Sequence, residues 1–169
     1  MRTELIQDLL HHLSTNDSFK IGYADEGTTR LLEHLEIPLD LKRTLQWYWT
    51  TSGGAVGAYT LNSVNSVLTD SDFPALFQCG MIPIGFASNG DILVIRIKDD
   101  NCEIGLVSHD QFWEDECDSE NAYVEVAPTI EEYLWRAVEG RYLPRNYYSA
   151  ADLAELRTEV GESKFDKNP

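Results

Sequence analysis

Residues 81–107 read MIPIGFASNGDILVIRIKDDNCEIGLV, and this stretch decides the fold. Three β-rich runs, Met81 to Phe86, Asp91 to Lys98 and Cys102 to Val107, are separated by Ser88-Asn89-Gly90 and Asp99-Asp100-Asn101. Turn residues between short apolar runs reverse the chain tightly, so neighbouring strands are expected to be antiparallel. Ile92 to Ile95 is apolar without interruption, which places that strand centrally in the sheet, covered on both faces.

Working outward, Val56, Ala58 and Thr60 alternate with Gly57, Tyr59 and Leu61 and read as one further strand, and Tyr123 to Val126 adds another. The flanks change period. Leu5, Ile6, Leu9, Leu10 and Leu13 lie on one face of an amphipathic helix. A second helix starts near Asp25 or Thr28, both good N-caps, carries Leu31, Leu32 and Leu35, and stops before Pro38. A third is expected over Leu39 to Trp49, with Leu41, Leu45, Trp47, Tyr48 and Trp49 crowded enough to suggest burial on more than one side, and with Gly53-Gly54 ending it. Thr129 caps a helix through Tyr133, Leu134 and Val138, with Glu131 and Glu132 in its first turn. Ser149 opens a last amphipathic helix through Leu153 and Leu156. The class is α+β: one mainly antiparallel sheet covered by helices from both ends of a single domain over residues 1–160, with a disordered tail over 161–169.

With 169 residues, 43% of them apolar or aromatic, the chain is long enough to bury about 70% of its unfolded surface without a disulfide or metal. Lys and Arg total 13 against 29 Asp and Glu, a formal net charge of -16. That balance argues against direct binding to nucleic acid or to anionic membrane surfaces, and no apolar run approaches the length of a membrane span. Asp8 interrupts the first leucine-rich stretch, so no secretory signal is read and a cytoplasmic protein is expected. Cys79, Cys102 and Cys117 are odd in number and widely spaced, as free thiols in a reducing compartment would be.

Catalytic patterns are sparse. His11, His12, His34 and His109 stand in no zinc-ligand spacing, no nucleophile elbow exists, and the turn after Gly85 lacks the Lys-Ser/Thr of a phosphate loop. No metal or cofactor is expected. His109 beside Asp110 is the one place for acid/base chemistry, against the plainer reading of a turn histidine. Trp47, Trp49, Trp113 and Trp135 read first as core and second as interface anchors. The strongest local signal is acidic: Glu114, Asp115, Glu116, Asp118 and Glu120 crowd into seven residues directly after Phe112-Trp113. Between Asp70 and Glu132 there are 15 acidic residues against Arg96 and Lys98 alone, which concentrates 13 of the 16 excess negative charges in 63 residues. Such a segment is either a solubilising loop or a docking surface for a basic protein, where complementary potentials speed encounter.

The order of motifs resembles that of the SUKH superfamily. Gly27-Thr28-Thr29, Ile37-Pro38-Leu39-Asp40-Leu41, Tyr48 and Gly53-Gly54 resemble the family's opening helix, its Leu-Pro step and its Asn-Gly-Gly turn, with Ser52 in place of the Asn. Ile82-Pro83-Ile84-Gly85 followed by Asn89-Gly90-Asp91 resembles the central signature, and Gly105 to Trp113 and Thr129 to Leu134 resemble the later strand and helix. The resemblance implies a non-catalytic binding domain, commonly an immunity protein that binds and blocks a toxin, often a nuclease. Contact residues vary within that family, so none is carried over. The expected partner is a basic cognate toxin domain, met by Asp110, Trp113, Glu114, Asp115, Glu116, Asp118 and Glu120. The alternative is an intracellular regulatory or scaffold module that binds a host protein.

Overall fold

The computed structural model describes residues 3–14, 20–56, 59–67, 74–87, 89–98, 101–109 and 122–138. The last amphipathic helix and tail read from the sequence lie outside these residues. Helix α1 (Thr3–Ser14) buries Ile6, Leu9 and Leu10, the face that its leucine spacing defines. Helix α2 (Glu26–His34) begins where Asp25 accepts a hydrogen bond from the Thr28 backbone N–H at 2.7 Å, so the first of the two candidate caps is the one used.

Helix α3 (Leu39–Trp47) follows Pro38 and stops two residues earlier than its sequence pattern suggests. Tyr48 still bonds back to the Thr44 carbonyl, but its φ of -134° takes the chain out of the helix. Trp49 then turns fully inward and donates its indole N–H to the Asn62 carbonyl at 3.2 Å. Gly53 therefore does not end the helix. Its φ of +69° sends the chain into the sheet instead, with the Leu61 carbonyl 2.9 Å from where a Cβ would sit.

The single strand expected across 56–61 is a hairpin. Strand β1 (Gly54–Val56) pairs antiparallel with β2 (Tyr59–Leu61), Gly54 opposite Leu61 and Val56 opposite Tyr59. A two-residue connection containing Gly57 suffices for such a reversal. Two short helices, α4 (Val64–Val67) and α5 (Pro74–Gln78), precede β3 (Met81–Ala87). Strands β4 (Ile92–Lys98), β5 (Asn101–Val107) and β6 (Tyr123–Ala127) and helix α6 (Ile130–Val138) complete the described chain.

The six strands form one antiparallel sheet in the order β1-β2-β3-β4-β5-β6, so each strand pairs with its sequence neighbours, and six helices accompany it among the described residues. The class is α+β. Both faces of β4 are covered, as its continuous apolar run requires. Leu93 and Ile95 join Ile82, Ile84, Ile104, Leu106 and Val124 under the helices, while Ile92 and Val94 join Met81, Val107, Tyr123 and Leu76 of α5 on the other face. Helices α1 and α6, from opposite ends of the described chain, pack against one another.

The Pro-Ile-Gly motif of β3 is structural. The pairing slips between Pro83 and Gly85, so Ile84 is the extra residue of a bulge, fully buried beside a proline that has no N–H to offer the ladder. Gly85 lies against β2 so closely that a Cβ would fall 2.1 Å from the Thr60 carbonyl oxygen. Gly90 turns the chain toward β4 with φ +96°. On the second face the Tyr123 ring covers Gly105, where a Cβ would be 2.2 Å from a ring carbon, and the Arg96 guanidinium lies 3.8 Å from the ring centroid. Arg96 is held there by Glu103, its cross-strand partner, through bonds of 2.6 and 3.0 Å to one carboxylate oxygen.

Candidate partner-binding surface

The seven residues assigned to partner contact from the sequence, Asp110, Trp113, Glu114, Asp115, Glu116, Asp118 and Glu120, lie outside the described residues, as does Cys117. The described residues present a surface of their own.

His109 stands at its border, and its partner is Asp91. The carboxylate of Asp91, fully buried at the start of β4, lies 2.9 Å from His109 Nδ1 and accepts the His109 backbone N–H at 3.3 Å through the same oxygen. The other oxygen accepts from the Asn89 amide at 2.7 Å, and the Asp91 N–H returns a bond to Asn89. Pairing Ile92 with Val107 brings residue 91 beside residues 108 and 109. A buried carboxylate needs such donors, and here they pin the β3–β4 turn to the end of β5. The partner that the fold gives His109 is thus Asp91, and Asp110, its sequence neighbour, lies outside the described residues.

The remaining candidates sort by exposure. His11 and His12 are exposed on α1, Cys79 is an exposed thiol and Cys102 a buried one. Among the described residues no group of three or more His, Cys, Asp or Glu is placed to hold a metal ion, and no helix is long and apolar enough to cross a membrane. Core reading of the tryptophans holds for Trp49 alone of the three described. Trp47 is 49% and Trp135 43% exposed. Trp47 is the last residue of α3 and falls on the side away from Leu41, Thr44 and Leu45, which the helix buries. It meets Tyr23, itself 75% exposed, edge to face with centroids 6.3 Å apart. Backbone bonds from Gly22 to the Trp49 carbonyl and from Ala24 to the Gln46 carbonyl hold the segment around Tyr23 along the end of α3.

One and two turns back along the same face of α3 stand Arg43 and Leu39, the latter 62% exposed. Arg43 lies 3.9 Å from Asp40, an exposed pair. Leu39 is also the lip of an open cavity of about 350 Å³. Pro38, Leu39 and Asp40 form its wall at the start of α3, Asn101 and Cys102 at the start of β5, and Thr129 and Glu131 at the start of α6. Thr129 Oγ1 caps α6 by accepting from the Glu132 N–H at 3.1 Å, as its sequence position predicts. Asp40 and Glu131 thus sit in first turns of two helices, where carboxylates complement the helix dipole. The framework offers aromatic anchors, a recess and charges of both signs, the components of a macromolecular contact. Sequence reasoning missed Tyr23 and Leu39 because nothing in an isolated aromatic or leucine distinguishes an exposed one. No protein-family model, curated protein or solved structure matches this chain.

Proposed function

We propose that this chain is a non-catalytic binding domain that occludes a basic cognate toxin, an immunity protein acting in the cytoplasm. The observation that carries the reading is the charge asymmetry: 13 of 16 excess negative charges fall between Asp70 and Glu132. A basic partner is drawn to such a field, and its encounter rate rises with it. The resemblance to SUKH immunity proteins supports the same assignment. Its most specific residues, Pro83, Ile84, Gly85 and Gly90, are occupied in shaping the sheet, which leaves recognition to variable surface. The toxin-facing residues in this reading are Trp113 with Asp110, Glu114, Asp115, Glu116, Asp118 and Glu120.

Co-expression with candidate toxin domains encoded by neighbouring genes tests the proposal. Survival of the host and co-purification of the two chains are expected, and growth arrest with no complex would refute it. Charge reversal of Glu114, Asp115, Glu116, Asp118 and Glu120 together is expected to slow association at low salt by about tenfold or more without lowering the thermal midpoint. An unaltered on-rate would remove these residues from the interface.

A further inference from the structure

The turn between β3 and β4 holds a reactive step that the toxin-binding reading does not use. Of the eight asparagines in the chain, Asn89 alone is followed by glycine, and no aspartate is. An Asn-Gly step is open to attack from within, because glycine has no side chain to shield its backbone nitrogen and adopts the conformations that bring this nitrogen to the preceding amide. The Gly90 nitrogen adds to Asn89 Cγ, the Cγ–Nδ2 bond breaks, the proton of the Gly90 N–H passes to the leaving nitrogen, and ammonia departs. Water then opens the succinimide ring at either carbonyl and leaves an aspartyl or isoaspartyl residue at position 89. Gly90 is exposed and Asn89 partly so, which admits the one co-reactant needed, water.

The fold holds this step shut. Gly90 donates its N–H to the Ala87 carbonyl at 3.0 Å, and Ala87 donates to the Asp91 carbonyl at 2.8 Å, so the attacking nitrogen is tied into the turn. The Asn89 amide is gripped at both ends: Nδ2 donates to Asp91 Oδ2 at 2.7 Å, and Oδ1 accepts the Asp91 N–H at 3.1 Å. Attack demands that the Gly90 bond break and the amide swing away from Asp91, which is a local opening of the turn. The leaving nitrogen is also one of the donors that the fully buried Asp91 carboxylate depends on. Conversion replaces that donor with a second carboxylate, and two like charges at this distance, one of them buried, disfavour the closed turn. Asp91 Oδ1 holds the His109 backbone N–H and ring, so release of the turn reaches the end of β5. Opening is reversible and conversion is not.

We propose that Asn89–Gly90 is a latent deamidation site, closed in the folded chain by Asp91, and that its conversion unpins the β3–β4 turn from the end of β5. Peptide mapping by mass spectrometry tests it on the full chain, aged near neutral pH either folded or in concentrated urea. Asn89 is expected to convert about tenfold or more slowly in the folded chain, because only the opened turn reacts. The converted folded species carries one added negative charge and is separable by ion exchange; it is expected to unfold about 4 °C or more below its unconverted parent. Asn89→Asp reproduces that loss, and Asn89→Asp combined with Asp91→Asn recovers about half of it or more, since amide and carboxylate then face one another in exchanged places. If Asn89→Asp alone does not fold, folding of the double variant is the same recovery. Equal conversion rates in the folded and unfolded chain, a converted species with its parent's thermal midpoint, or a double variant no more stable than Asn89→Asp overturns the proposal.

Discussion

A methyl group on Gly85 would enter the van der Waals sphere of the Thr60 carbonyl, and both atoms belong to backbone locked in the β2–β3 ladder. Gly85→Ala is therefore expected to cost about 3 kcal/mol or more, measured by urea unfolding. Gly27→Ala is the informative contrast. It lies in α2, meets nothing closer than the Asp25 carboxylate at 3.5 Å, and removes a poor helix former, so it should be neutral or stabilising by up to about 1 kcal/mol. Tyr133 carries a different liability. Its side chain is fully buried on the inner face of α6, its hydroxyl has no hydrogen-bond partner among the described residues, and burial pushes the phenol well above its ordinary range, so it stays protonated. Tyr133→Phe should leave stability unchanged or raise it by about 1 kcal/mol, because no bond is lost and an unsatisfied group is removed. A loss larger than that in chemical denaturation would mean that the hydroxyl has a partner in solution.

Each helix and strand also owes its boundaries to particular contacts, and these decide what was legible in the sequence. The three strands of 81–107 could be read because short β-rich runs, turn residues and Gly90 agree on one answer. The end of α3 could not: Trp47, Tyr48 and Trp49 are all apolar, and only the break at Tyr48 decides that one indole faces solvent and the other the core. The β1–β2 hairpin was obscured because three-residue strands are too short for a period to declare a reversal. The Asp91–His109 pair was hidden by 18 residues of separation, which only the β4–β5 register closes. The partner-contact residues were chosen by charge and fall outside the described framework, whereas the Tyr23–Trp47 pair needed a bridge between Ile21 and Thr50 that no local pattern encodes. Capping is the element-scale feature with a pH signature. The Thr28 backbone N–H holds the Asp25 carboxyl below its ordinary value, so its share of stability is present above about pH 4 and lost as pH falls through the lowered value. Asp25→Asn keeps an acceptor that does not titrate. The stability gap between wild type and this variant should be widest near neutrality and shrink on acidification below that point, read from thermal midpoints across pH; a constant gap would contradict the cap's charge dependence.

For the molecule as a whole, a net charge of -16 on 169 residues implies self-repulsion in the compact state. Its thermal midpoint should rise by a few degrees as salt increases from about 10 mM to about 0.5 M, because screening relieves long-range repulsion while partly buried pairs such as Arg136 with Glu132 respond less. The same screening should slow capture of the proposed basic toxin, so stability and association rate are expected to move in opposite directions along one salt titration. Arg136 shows why the buried charges are insulated: its guanidinium also donates to the Val126 carbonyl, and only 6% of the residue is exposed. The packing of α1 on α6 has a further consequence during synthesis. Every strand finds its neighbour soon after leaving the ribosome, but the greasy side of the first helix, Ile6, Leu9 and Leu10, has only α3 to lean on until the segment around residue 138 has emerged. A nascent chain stalled short of that length would carry a nearly complete sheet with its first helix only half seated, the form most in need of a chaperone.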